Sequence, residues 1–138
     1  MNRTMSVLAL AGASLVFAAP ASTHMNGPVV IIRHQARGCH AWSFDNGPFR
    51  ASQTVTLNKG VHLEVGNNDV MPHKLVKVAG PAVKFVPSAS MNSMGAMAEI
   101  RFTKAGVYRF TTKAGEDYTK GMKTIGEDNV LKLKVTVR

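Results

Sequence analysis

Cys39 and His40 stand side by side in the run Gly38-Cys39-His40-Ala41-Trp42, and His73 follows in Asn67-Asn68-Asp69-Val70-Met71-Pro72-His73. Cys39 is the only cysteine of the sequence, so no disulfide within the chain can use it. What is left for it is a thiol, a metal ligand or a bridge between two chains. Thiolate and imidazole together make a ligand set suited to copper or zinc. Methionine adds a softer donor: Met91, Met94 and Met97 are spaced by three, with Met71 and Met122 elsewhere. A thioether suits copper(I), but it also fills gaps in a small core. Gap-filling is the expectation for Met91 and Met94, and Met97 reads as the start of a strand. Trp42 is expected to be buried, in the core or as a lid over the site, because large rings dominate burial. His62 falls on the polar side of its segment, and His24 and His34 receive no role. No Ser-His-acid triad, phosphate-cradling glycine loop, C-x-x-C pair or haem-attachment motif is present, so nothing supports an enzyme.

A metal or thiol site needs elements to hold it, and the chain supplies strands. Leu131, Leu133, Val135 and Val137 alternate with Lys132, Lys134 and Thr136, the period of a half-buried strand. Val61, Leu63 and Val65 alternate with His62 and Glu64, and Tyr108 and Phe110 with Val107, Arg109 and Thr111. Val29 to Ile32, Val55 to Leu57, Lys74 to Val78 and Met97 to Phe102 also read as strands. Asn46-Gly47-Pro48, Asn58-Lys59-Gly60, Gly80-Pro81, Lys104-Ala105-Gly106 and Gly126 to Asn129 are turns. The small, methionine-bearing segment from Ser88 to Ala96 reads as a loop. Short strands so punctuated, with no helical period, predict an all-β sandwich.

The first residues have the pattern of an export signal. Arg3 precedes the uncharged apolar run from Met5 to Ala18, and Ala19-Pro20-Ala21 is an A-x-A cleavage site. The expectation is a signal peptide over 1–21, cleaved after Ala21, and one domain over 22–138. The mature domain would be periplasmic or secreted, and soluble. No later stretch approaches the roughly 18 apolar residues of a membrane span. The formal net charge is +9. A basic surface suits an acidic protein partner. Nucleic acid is not expected, since no pattern of stacking aromatics accompanies the lysines.

Three local patterns, in order along the chain, resemble the cupredoxins, the plastocyanin-like family of copper sandwiches. Val65-Gly66-Asn67-Asn68 followed by Pro72-His73 resembles the strand, Asn pair and Pro-His that deliver the family's first histidine ligand. Gly106-Val107-Tyr108-Arg109-Phe110 resembles its G-x-Y-x-F strand. Gly121-Met122 resembles the Gly-Met that closes its ligand loop and supplies the weak axial ligand. The resemblance implies a Greek-key β-sandwich with one copper ion held by loops at one end. The sequence departs from the family where it matters most. Thr112 occupies the place of the family's cysteine, and no histidine follows His73. A type 1 centre needs two histidines and a cysteine, so an ordinary blue-copper carrier is not expected.

Cys39 is the substitute thiolate this reading offers, since it lies past the first strand, toward the end of the sandwich that carries the histidine loop. Neighbouring residues on a regular strand face opposite ways, so His40 joins Cys39 only if Gly38 seats a bend or bulge. The candidate metal ligands are therefore Cys39, His73, His40 and Met122, with Glu116 and Asp117 as harder oxygen donors. The expected function is copper handling or single-electron transfer. The alternative is a metal-free sandwich of the same fold used as a binding module.

Overall fold

A computed structural model of the chain describes residues 27–115 and 129–138. The expected signal peptide, His24, Glu116, Asp117 and Met122 lie outside the described residues.

The alternating segments form strands, and the strands form two sheets. The first sheet contains β1 (Val29–His34), β2 (His40–Phe44), β4 (Leu63–Asn68), β6 (Val83–Val86) and β8 (Met97–Phe102). The second contains β3 (Ser52–Leu57), β5 (His73–Ala79), β7 (Ser90–Met91), β9 (Gly106–Ala114) and β10 (Lys132–Val137). Their spatial orders are β2-β1-β4-β8-β6 and β3-β10-β9-β5-β7. Most connections cross from one sheet to the other, so strands distant in sequence become neighbours. The β1–β4 and β3–β10 pairs are parallel and the rest are antiparallel. This is the all-β, Greek-key sandwich that the period-two pattern and its turns predict.

One residue in two along these strands is apolar and points inward. Val30, Ile32, Trp42, Leu63, Val65 and Ile100 from the first sheet meet Val55, Leu75, Tyr108, Phe110, Leu133 and Val135 from the second. Trp42 is buried in this core, as expected of the large ring, and so is Met91. Tyr108 and Phe110 stack with their rings nearly parallel, and the Tyr108 hydroxyl donates to the Lys104 carbonyl.

Three strands escape the sequence reading for identifiable reasons. β2 is buried at four consecutive residues, His40 to Ser43. Trp42 exchanges both backbone hydrogen bonds with Arg50, and Phe49 lies beneath the Arg33 guanidinium. The segment after β2 therefore covers it, and no apolar-polar alternation survives. β6 is four residues long, and β7 only two. β7 falls inside the segment read as a loop, where Met91 pairs with His73.

The register places one end of the sandwich. His34 at the end of β1 faces His40 at the start of β2. Arg33 pairs with Asn68 at the end of β4. His73 at the start of β5 pairs with both Met91 and Ala114. Residues Asp69 to Pro72 carry the chain between the sheets at this same end.

Candidate metal centre

The turn from β1 into β2 is built on two left-handed residues, Gly38 at φ 72° and Cys39 at φ 59°. Gly38 has no alternative residue type. A Cβ there would stand 2.2 Å from Asn129 Nδ2, while the Asn129 amide donates to the Gly38 carbonyl. Asn129 Nδ2 also donates to the His40 carbonyl at 3.1 Å, so Asn129 clamps the turn from both sides. The bend that Cys39 and His40 require is thus present, and Cys39 itself carries half of it. A cysteine in this conformation is strained by about 1–3 kcal/mol, a cost that clusters at functional positions. Its effect is that neighbouring residues turn inward together: Cys39 and His40 are 0% and 6% exposed.

The loop opposite is held by its own side chains. Asn67 accepts from the Asp69 amide and donates through Nδ2 to the carbonyls of Met71 and Met91. Asp69 Oδ1 accepts from the Met71 amide at 3.1 Å. Asn67 and Asp69 are both buried, and between them they satisfy backbone groups on the inner side of the loop.

His73 is gripped at both ring nitrogens. Nε2 lies 3.2 Å from Asp69 Oδ2, and Nδ1 lies 3.3 Å from Thr112 Oγ1. Burial raises the Asp69 carboxyl, but the His73 hydrogen bond, the Met71 amide and the charges of His73 and His34 outweigh it. The carboxyl therefore sits below its ordinary value of 3.8. An ionised Asp69 only accepts, so Nε2 donates to it. A metal-binding histidine is commonly oriented in this way, its second nitrogen donating to a carboxylate.

His40 completes the cluster. Its ring meets that of His73 edge to face, with centroids 5.0 Å apart. One ligand atom from each of His40, Asp69 and His73 lies within 4.8 Å of the others, and all three residues are buried. His34 adds a third imidazole, its Nδ1 3.8 Å from Asp69 Oδ1. Beside this cluster in sequence, the Cys39 thiol lies 3.3 Å from Met71 Sδ, with both residues buried.

Of the ligands read from the sequence, Cys39, His40 and His73 come to one buried end of the sandwich, and Met122 lies outside the described residues. Asp69 and His34 meet at the same end and received no role from the sequence, while Met71, noted there as a soft donor, meets Cys39. Asp69 stands four residues before His73 in the loop already singled out, and that proximity was the available signal. For His34 the strand register supplies the information, since it stands opposite His40.

No family model matches the chain, and no curated protein matches it. Among solved structures, the chain is similar to a purple cupredoxin from Nitrosopumilus maritimus at 15% identity and a TM-score of 0.45, over 80% of this chain and 98% of that one. It is similar to an oxidised amicyanin variant at 20% identity and a TM-score of 0.44, over 86% and 88% of the two chains. A cysteine protease inhibitor from Entamoeba histolytica is similar at 10% identity and a TM-score of 0.37, over 80% and 95%. No ligand is transferred from any of them.

Proposed function

We propose that this chain is an exported copper-binding protein that holds one ion at the buried end of the sandwich, for copper handling or single-electron transfer with an acidic partner protein. The observation that carries the reading is the convergence of His40, Asp69 and His73, each with a ligand atom within 4.8 Å of the others and all buried. The donor chemistry fits copper. Two imidazoles stand with a thiol and a thioether nearby, and soft sulfur favours copper(I) over harder ions. His73 would supply one nitrogen and Asp69 an oxygen beside it. His40 would supply the second nitrogen and Cys39 the thiolate. Copper would bring a one-electron couple, and the surrounding strands hold the donors on a rigid frame. With Thr112 against His73 where the resemblance implies a cysteine, the set does not fit a type 1 centre.

One observation favours a metal-free binding module instead. Both nitrogens of His73 already have partners, Asp69 and Thr112, which is how a structural histidine is satisfied. The two readings separate on the reduced mature domain titrated with copper(II). A stoichiometric complex with a visible thiolate-to-copper band, lost in Cys39→Ser and in His73→Ala, supports the metal centre. Binding no stronger than that of His73→Ala refutes it.

A further inference from the structure

Among the described residues, the outer face of the second sheet carries cations and no acids. Lys74 on β5, Arg109 and Lys113 on β9, and Lys132 and Lys134 on β10 are all exposed. None of the strands of this sheet contains an aspartate or a glutamate. Among the described residues, no carboxylate lies within ion-pair distance of these cations. The register makes the arrangement more costly, because Lys134 stands directly opposite Arg109, and Lys74 opposite Lys113. Like charges facing each other across a strand pair destabilise the sheet. The other sheet treats its cations differently: Lys84 pairs with Arg101, but Arg101 bonds to Glu99 on its own strand.

The face is also not flat. A groove of about 410 Å³ runs over β3, β10 and β9, edged by Arg109, Lys132 and Lys134. Val78 and Val130 line it and are 63% and 66% exposed. Cations beside exposed valines suit a ligand with carboxylates next to apolar side chains. A bilayer has no side chains to lower into a recess. The exposed large apolar residues among those described are valines and one methionine, which give nucleobases no ring to stack on.

We propose that this face docks an acidic protein segment, its carboxylates on the opposed cation pairs and its apolar side chains in the groove. The proposal takes over the acidic partner of the function proposed above but uses none of the metal ligands. The probe is a fluorescein-labelled peptide of repeated Glu-Glu-Leu, followed by anisotropy. Wild type should bind it, more weakly as salt shortens the Debye length from roughly 10 Å at 0.1 M. The double variant Lys74→Gln/Lys134→Gln should lose about tenfold or more in affinity while melting at a higher temperature, because each change removes a like-charge pair. Lys84→Gln, on the other sheet, should bind as wild type does. His73→Ala should also bind the peptide normally, so a failed copper titration and a failed peptide titration are separate results. Undiminished binding by the double variant overturns the proposal, as does an equal loss in Lys84→Gln. So does capture of phosphatidylglycerol vesicles or a single-stranded oligonucleotide by these lysines without capture of the peptide.

Discussion

Replacing Asp69 by Asn tests whether the carboxylate organises the buried end of the sandwich. The carboxylate accepts through both oxygens, Oδ1 from the Met71 amide and Oδ2 from His73 Nε2. An asparagine has one acceptor oxygen, so one of these donors must face an NH₂ group. Losing a buried hydrogen bond to a charged group costs about 1.5–3 kcal/mol. We therefore expect Asp69→Asn to destabilise the domain by about 2–3 kcal/mol at neutral pH, a large share of the ~5–15 kcal/mol that holds a typical domain together. At about 4 °C per kcal/mol the melting temperature should fall by about 8–12 °C. Asp69→Ala, which leaves both donors without an acceptor, should cost about 3–5 kcal/mol.

The pH dependence makes this prediction specific to the charge. The native Asp69 carboxyl lies below its ordinary value of 3.8. Its contribution is therefore complete above the unfolded value and lost as pH falls through the native one. The stability gap between wild type and Asp69→Asn, followed by urea denaturation, should close as pH falls below about pH 4. No gap at pH 7, or a gap unchanged down to about pH 2.5, would refute the assignment.

Gly38→Ala places a Cβ 2.2 Å from Asn129 Nδ2 at a φ of 72°. It should cost about 2–4 kcal/mol in urea denaturation, from left-handed strain plus overpacking. Met71→Ala removes a buried thioether that touches the Cys39 sulfur. A loss of about 2–4 kcal/mol is expected by thermal unfolding, together with faster labelling of Cys39 by a thiol reagent. Thr112→Cys puts a thiol where the hydroxyl now meets His73 Nδ1. With copper(II) it should give a stronger visible thiolate band than wild type, and Thr112→Val should not.

The strands whose one face meets the core and whose other face meets water were legible in the sequence. β10 reads Lys-Leu-Lys-Val-Thr-Val because its faces have different surroundings. β2 was not, because it has no solvent face to mark with polar residues. The same contrast divides the site. Composition exposes Cys39 as the one cysteine, its neighbour His40 comes with it, and the Pro72-His73 pattern marks His73. Asp69 is one acid among eight in the sequence, and only its position in a loop closed over by Asn67 makes it a buried carboxylate.

That difference changes which residue organises this end of the molecule. Composition puts Cys39 first because it is unique. The structure gives the central position to Asp69, which lies between His73 and His34 and bonds the loop backbone at Met71. A buried carboxylate is costly unless its neighbours are cationic or donate to it, so Asp69 explains why histidines gather around it whether or not a metal arrives. Cys39 is not explained in this way. Its left-handed backbone is strained where Gly or Asn would be less so, and its sulfur lies 3.3 Å from Met71 Sδ. The imidazoles of His73 and His34 are thus accounted for by Asp69, and Cys39 is the residue on which the copper titration of Cys39→Ser bears most directly.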